Sequence, residues 1–135
     1  MGANAKGIGM KGTKNTKAQR RYWDALASGV GCIACAQERY IIDNYVSIHH
    51  IDGRTKKHAH WLVLPLCAGH HQDGTGNDKG MIAVHPYKAR FEDRYRTQFE
   101  LYMQANERLK KLGYDFEREG WRECEIVDGF YKVIE

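Results

Sequence analysis

Two short turns of cysteine and histidine constrain the fold of this 135-residue chain more than any other feature. Cys32 and Cys35 are separated by two residues, and Cys67 and His70 repeat that spacing later in the chain. Each turn presents two ligands to one ion, and two such turns complete the tetrahedral coordination of structural zinc. A CxxC pair alone also fits a thiol-redox protein, but no βαβ pattern surrounds it here. The sequence therefore predicts a Cys3His zinc site.

Length and composition favour one domain with reduced thiols. A chain of this length can bury a core without disulfides. It has no apolar run of about 18 residues, so we expect no membrane span, and no apolar stretch typical of a secretory signal. We expect a cytoplasmic protein whose four cysteines serve metal binding or chemistry. Cys124 lies apart from the paired turns and is expected to be a small buried residue or an inert thiol.

The first 21 residues form a basic leader. They contain no acidic residue, whereas acidic residues slightly outnumber basic ones in the rest of the chain. Such a leader is common where a flexible arm touches nucleic-acid phosphates, although a tail that only improves solubility has the same composition. We predict a flexible basic tail over residues 1–15 and a single domain over residues 16–135. The leader residues assigned to DNA binding are Lys6, Lys11, Lys14, Lys17, Arg20 and Arg21.

The first half of the domain alternates between helical and extended patterns. A helix is predicted from about Thr16, with Gly29 after its end. Residues 45–51, YVSIHHI, alternate and are β-branched, which predicts a strand. After a polar, basic loop, residues 61–67, WLVLPLC, form a short apolar segment whose Pro65 argues against a central strand. We expect CAGHHQDG to enter a short helix and GTGNDKG to form a mobile loop.

The second half predicts two helices and a hairpin. Phe91 and Tyr95 share one face of the first helix. Thr97 followed by Glu100 forms a capping box for the second, which is expected to end at Gly113. The aromatic residues of this segment are expected to lie in the core. The final segment, ECEIVDGFYKVI, predicts a β-hairpin that turns at its Asp-Gly pair.

All seven histidines lie between positions 49 and 85. Buried histidines that only form hydrogen bonds within a core would be scattered along the chain, so this clustering favours a functional site. If His70 binds zinc, His71 faces another direction, because neighbours in a helix point about 100° apart. His49 and His50 lie on the predicted strand between the paired turns, and with His71 they offer ligands for a second metal centre. The alternative for His50 is a hydrogen bond to a backbone carbonyl.

Three further histidines are open to more than one interpretation. His58 lies among lysines and is expected to be exposed to solvent. His60 precedes Trp61 and fits either a supporting role or the polar end of a loop. His85 precedes Pro86 and fits either a metal ligand or a hydrogen bond at the start of a helix.

The order of these motifs resembles the HNH, or ββα-metal, nucleases. Their hallmark is a strand ending in an Asp/His-His pair, a loop, an apolar strand leading into a cysteine knuckle, and a helix that starts with histidine. SIHHIDG followed by WLVLPLCAGHH matches that order and spacing. Together with CIAC and GMIAVHPYKARFEDRY, these motifs are similar to the bacteriophage recombination-enhancement (Ref) nucleases and their prophage relatives. The similarity covers about residues 20–112.

The resemblance implies an α+β fold with a small ββα-metal (HNH) core, Cys3His zinc knuckles, flanking helices, a C-terminal β-hairpin and a disordered basic N-terminal tail. It implies that His49 is a metal ligand and that His50 is the general base. His71 becomes a second ligand, and His85 completes or supports the site. The middle asparagine of the superfamily has no counterpart here, and His60 is the best substitute.

The implied activity is metal-dependent hydrolysis of DNA by a phage- or prophage-encoded endonuclease that acts in recombination. A catalytic Mg²⁺ or Mn²⁺ ion stabilises the leaving oxygen while a neutral imidazole takes a proton from water. The loop residues Arg54, Lys56 and Lys57 either bind backbone phosphates or form a solvated basic surface. The resemblance also implies a RecA nucleoprotein filament as a targeting partner. The alternative is a non-catalytic zinc-finger module that binds nucleic acid.

Overall fold

The computed structural model describes residues 12–74 and 79–134. It has the mixed α+β architecture predicted from the sequence. Lys6, Lys11 and the centre of the GTGNDKG segment lie outside the described residues. Among the residues described, no helix has the length and apolar character that a membrane span requires. In chain order the elements are α1 (Lys17–Ala25), a π-helical turn (Leu26–Val30), α2 (Ile33–Arg39), β1 (Ser47–His50), β2 (Val63–Leu66), α3 (Ala68–His71), α4 (Lys88–Tyr95), α5 (Gln98–Lys111), a 3₁₀ turn (Glu117–Glu119), β3 (Cys124–Val127) and β4 (Phe130–Val133).

Two capping boxes begin the helices α1 and α5. Thr16 caps α1 by accepting from the backbone N–H of Gln19, whose side chain accepts from the Thr16 N–H in return. Thr97 and Glu100 form the same arrangement at α5, as predicted. The predicted end of the first helix before Gly29 is wrong, because the π-helical turn carries the helix past that glycine.

The first hairpin places the histidine pair. Strands β1 and β2 are antiparallel, with His49 opposite Leu64 and His50 opposite Val63. Pro65 lies within β2, which the two-stranded sheet permits because each strand has an edge that needs no partner. Since successive side chains of a strand point to opposite faces, the two histidines of β1 face different surroundings.

The second hairpin closes the described part of the chain, as predicted. Strands β3 and β4 pair with Cys124 opposite Val133. Asp128 and Gly129 form the turn and both have positive φ, at 51° and 82°, which is the conformation that a two-residue hairpin turn requires. Cys124 is buried, in agreement with the expectation for this thiol.

A single apolar cluster connects the helices with the first hairpin. Helix α5 packs against the π-helical turn, β2 and α2, so the two turns of zinc ligands are attached to the same core. The chain after α3 then doubles back, and the backbone N–H of Val84 donates to the carbonyl of His70 at 2.9 Å. The largest fully buried side chains include Tyr22, Leu26, Ile33, Leu62, Leu64, Leu66, Phe91, Tyr95 and Leu101.

Candidate metal centres and active site

The four predicted zinc ligands converge in the interior, and we refer to Cys32, Cys35, Cys67 and His70 as the Cys3His cluster. The Nδ1 atom of His70 lies 3.2 Å from the Cys67 Sγ and 3.5 Å from the Sγ atoms of Cys32 and Cys35. The Sγ atoms of Cys35 and Cys67 are 3.8 Å apart. A tetrahedral zinc site has S–N edges of about 3.6 Å and S–S edges of about 3.8 Å, given its bond lengths. The geometry therefore fits zinc.

Helix ends hold these ligands in place. Cys32 caps α2, and its Sγ accepts the backbone N–H of Cys35 at 3.4 Å. The ring of His70 donates from Nε2 to the Tyr95 hydroxyl at 3.0 Å when Nδ1 faces the metal. Such an outer hydrogen bond fixes the tautomer and the orientation of a ligating histidine. Tyr95 was predicted only as a core residue, and its hydroxyl role has no signal in the sequence.

The electrostatics of the Cys3His cluster are those of thiols that share negative charge. Hydrogen bonds from Cys32 and Cys35 lower the pKa of the Cys67 thiol far below its usual range. Burial lowers the pKa of His70, but hydrogen bonds and charge from Cys32 and Cys67 outweigh it and raise that pKa to about 9. A metal ion that binds Nδ1 would therefore displace a proton from His70, as metal binding to histidine requires.

A second set of ligands, the three-histidine cluster, consists of His49, His71 and His85. Their candidate ligand atoms all lie within 4.8 Å of one another. His49 lies on β1 and His71 ends α3, directly after the zinc ligand His70. The returning chain brings in the third, because the backbone N–H of His85 donates to the carbonyl of His71 at 3.2 Å. The structure therefore brings together three of the histidines predicted for a catalytic ion.

Two polar side chains orient this cluster, and neither was predicted from the sequence. The Nε2 atom of His49 donates to Gln98 Oε1 at 2.6 Å, which leaves Nδ1 for a metal. The Ser47 hydroxyl bonds Nδ1 of His71 at 2.5 Å, which leaves Nε2. Ser47 precedes His49 by two residues on a strand, so their shared face was a usable signal. Gln98 is 49 residues from His49, and no local pattern indicates this contact.

The three-histidine cluster opens to a cavity, and the pKa values of two of its imidazoles are lowered. Burial, together with the charges of His85 and His71, lowers the pKa of His49 to about 4 despite its bond to Gln98. Burial and His85 also lower the pKa of His71. Both rings are therefore neutral near pH 7 and can bind a metal. The adjoining cavity of about 370 Å³ is lined by Gly12, Ile48, His49, His50, Gly53, Arg54, Thr55, His71 and His85.

His50 lines this cavity without belonging to either cluster. Its Nε2 lies 2.9 Å from Nδ1 of His60, and the Nε2 of His60 lies 2.5 Å from the Thr13 carbonyl oxygen. The ring of Trp23 contacts both imidazoles edge-on, with ring centroids 5.6 Å apart in each case. Burial, with a contribution from Arg54, lowers the pKa of His50 to about 4. The hydrogen-bond partner of His50 is therefore a second imidazole and not the backbone carbonyl of the alternative interpretation.

A family of known proteins accounts for this arrangement. The model of the family described as recombination enhancement, RecA-dependent nuclease matches residues 15–110. The chain belongs to this family. The matched range contains both clusters and the His50–His60 pair, and it ends near the end of α5. The resemblance to Ref-type nucleases is therefore confirmed, and β3 and β4 lie beyond the match.

The loop after β1 of this member of the RecA-dependent nuclease family contains His58 and the residues predicted to bind phosphate. The prediction that His58 is exposed to solvent is wrong. It is partly buried, and its Nε2 lies 2.9 Å from Asp52, which also binds Lys56 at 3.0 Å. Lys57 and Arg54 are both exposed, and Arg54 also lines the cavity. Arg54 therefore lies nearest to the three-histidine cluster among the predicted phosphate-binding residues of this loop.

The described basic residues of the leader are exposed on and before α1. Lys14 and Lys17 face solvent. Arg20 hydrogen-bonds Asn15, and Arg21 pairs with Glu119 across the surface. Surface pairs of this kind are weak, so they leave the charges available to a polyanion. The tail and domain boundaries at residues 15 and 16 stay a prediction.

Proposed function

We propose that the protein is a metal-dependent DNA endonuclease of the HNH type, which hydrolyses phosphodiester bonds. The observation that carries the proposal is the placement of three histidines around one open position, beside His50 and in the same cavity. A closed Cys3His cluster has no ligand position for a substrate, whereas an open histidine cluster has. A module that only binds nucleic acid has no use for this second cluster.

Each histidine has a distinct role in this proposal. His49, His71 and His85 hold a divalent ion, Mg²⁺ or Mn²⁺, and imidazole ligands favour the latter. Such an ion would supply Lewis-acid stabilisation of the charge that develops on the scissile phosphate. His50 takes a proton from the attacking water, and His60 holds the ring of His50. Because its pKa is about 4, the imidazole of His50 is a weak base, but it is unprotonated at neutral pH and can therefore act as the proton acceptor.

The basic residues supply contacts with the DNA backbone. Arg54 lies at the cavity, where its charge offsets that of the phosphate next to the scissile bond. Lys56 and Lys57 extend this surface along the loop, and the leader residues Lys6, Lys11, Lys14, Lys17, Arg20 and Arg21 add contacts at longer range. These contacts are to phosphates, so we expect little sequence preference from the chain itself.

Targeting comes from a partner in this proposal. The family is named for its RecA dependence, and we propose that a RecA nucleoprotein filament directs this chain to its DNA in the cytoplasm of a bacterial host. The zinc ion is structural and holds α3 against β1, so that His71 stays beside His49.

Incubation with supercoiled plasmid and with single-stranded DNA tests the proposal. Reactions with and without RecA and ATP, each in Mg²⁺ and in Mn²⁺, are expected to yield cleaved products in at least one condition. His50→Ala is expected to reduce cleavage by about 10²- to 10⁴-fold, with unchanged zinc content and DNA affinity. His58→Ala is the matched control, because it removes a histidine outside both clusters. Cleavage that survives His50→Ala contradicts the role of His50, and DNA binding without cleavage in every condition supports the zinc-finger alternative.

A further inference from the structure

The segment before α1 contacts the core next to the candidate active site. The Thr13 N–H donates to the carbonyl of Arg54 at 2.7 Å, and the Thr13 hydroxyl donates to the same oxygen at 3.1 Å. The Thr13 carbonyl in turn bonds His60 at 2.5 Å. These three hydrogen bonds fix the segment on the loop that follows β1, although its sequence reads as part of a flexible leader.

Glycine at position 12 is required for this close approach. A Cβ atom at Gly12 would lie 2.6 Å from the Cβ of Arg54 and 2.9 Å from its carbonyl oxygen. No side chain fits at such distances, so any larger residue must displace the segment. Gly12 also lines the cavity that contains His49, His50 and His71. The segment is therefore part of the wall of the candidate active site.

The hydrogen bonds from this segment have a defined direction. A carbonyl oxygen can only accept, so Nε2 of His60 carries the proton that it donates to Thr13. In a neutral imidazole the other nitrogen is then an acceptor, so Nδ1 of His60 accepts from Nε2–H of His50. Nδ1 of His50 is then unprotonated and carries a lone pair. That atom is buried and has no hydrogen-bond partner among the described residues.

We propose that the Thr13 carbonyl is a positioning group of the active site, which acts through His60 to hold the ring of His50 in the tautomer that leaves Nδ1 without a proton. The inference rests on the proposed role of His50 as the general base. It makes the N-terminal arm part of the catalytic unit, since displacement of Thr13 frees the ring of His60 and then that of His50. An arm that binds DNA phosphates through Lys14 and its neighbours is thereby coupled to the orientation of the base.

The test displaces the arm without changing any imidazole. Gly12→Val in the full-length protein is expected to lower kcat for a single-stranded oligonucleotide by about 10- to 100-fold, because small misplacement of a catalytic group has effects of this size. Zinc content and the circular dichroism spectrum are expected to stay as in the wild type. Asn15→Ala is the matched control, since Asn15 lies on the same arm and hydrogen-bonds only Arg20 in the described structure.

Two further readouts separate positioning from a merely structural role. Nitrogen-15 NMR of the histidine rings is expected to show His50 protonated at Nε2 alone in the wild type, and a mixture of tautomers in Gly12→Val. His60→Asn is expected to restore most of the kcat lost in His60→Ala, because an amide can donate to Thr13 and accept from His50.

An unchanged kcat and an unchanged tautomer in Gly12→Val overturn the inference. A lower kcat that appears only together with zinc loss or unfolding overturns it as well. The tautomer measurement needs no turnover, so the hydrogen-bond chain can be tested even if His50→Ala retains cleavage and the proposed function fails. In that case an unperturbed His50 ring in Gly12→Val again counts against the inference.

Discussion

The Cys3His cluster and the three-histidine cluster contain adjacent residues, His70 and His71, yet their surroundings are opposite. Every ligand of the Cys3His cluster is buried, and His70 is fully inaccessible. In the other cluster His49 is buried, His71 is half-buried and His85 is exposed. One turn of helix thus divides neighbouring imidazoles between a closed site and an open one. Closure is typical of structural zinc, and an open position is typical of a catalytic ion.

The charges around the two clusters differ in the same way. Hydrogen bonds and charge from Cys32 and Cys67 raise the pKa of His70 and favour its charged form. Burial and neighbouring imidazoles keep His49 neutral, so the open cluster requires little proton release to bind an ion. The first cluster therefore depends on its metal to offset the negative charge of its thiolates, whereas the second has no such charge to offset. This difference predicts that loss of each metal has a different consequence.

The largest expected effect is on folding. Cys67→Ser removes a thiolate from the closed cluster, and the loss of structural zinc that follows is expected to unfold the protein, since such ions contribute about 10 kcal/mol or more. Circular dichroism and zinc analysis measure the result. Cys124→Ser is the matched control, because it alters a buried thiol outside the cluster and is expected to retain zinc. A folded, zinc-containing Cys67→Ser protein would show that the clusters do not differ as described.

A large effect on activity alone is expected from the open cluster. His71→Ala is expected to reduce cleavage by more than about 100-fold. Loss of a direct metal ligand should reduce activity at least as much as loss of a residue that hydrogen-bonds to a ligand, which costs about 10- to 100-fold. One equivalent of zinc and the folded spectrum should remain. His58→Ala provides the control for loss of a histidine. If His71→Ala loses zinc together with activity, the two clusters form one structural unit and the comparison fails.

An intermediate effect is expected from the partner of His49. Gln98→Met removes the hydrogen bond to Nε2 with little change in volume, and is expected to weaken Mn²⁺ activation by about 10- to 100-fold. A Mn²⁺ titration of cleavage rate gives the concentration at half activity. Met103→Gln, at an exposed position of the same helix, is the control for the exchange of these two side chains. An unchanged Mn²⁺ requirement in Gln98→Met would remove Gln98 from the site.

A smaller effect is expected at the rim of the cavity. Arg54→Ala leaves the backbone contacts of Arg54 with Thr13 intact but removes a charge facing the phosphate. The slope of log affinity against log salt concentration is expected to decrease by about 1. Lys132→Ala on β4 is the control, with no change of slope. Equal slopes in the wild type and Arg54→Ala would place the DNA elsewhere.

The smallest expected effect is on the pH dependence of stability. His50 has a pKa of about 4 when folded and about 6.5 when unfolded, so the unfolded state binds more protons between these values. The free energy of unfolding should therefore fall as the pH drops from 6.5 to 4. His50→Asn should show a shallower fall in urea unfolding at the same zinc concentration, whereas His58→Ala should follow the wild type. Parallel curves for His50→Asn and the wild type would show that folding does not lower the pKa of His50.

The features that local spacing determines were predictable from the sequence. The four zinc ligands come from two turns whose spacing sets their geometry, and the Asp128-Gly129 turn follows from backbone preference alone. The capping box at Thr97 is likewise local. The end of the first helix was not predictable from Gly29, because a π-helical turn supported by packing against α5 overrides the cost of that glycine.

The features that were missed depend on contacts between distant parts of the chain. Gln98 reaches His49 across 49 residues, and Thr13 reaches His60 across 47. Neither contact has a periodic or motif signature, since each exists only after the core has formed. His58 was assigned to solvent because of its lysine neighbours, whereas its bond to Asp52 depends on how the loop folds back. Tertiary structure decides such cases.

Brief treatment with EDTA, followed by cleavage and circular dichroism measured on the same sample, tests the division between the two clusters most directly. The open cluster should lose its ion first, so cleavage should fall to background while the folded spectrum and one equivalent of zinc remain. Mn²⁺ should then restore cleavage without the addition of zinc. Cleavage and folded structure that disappear together, and return only with zinc, would contradict the account.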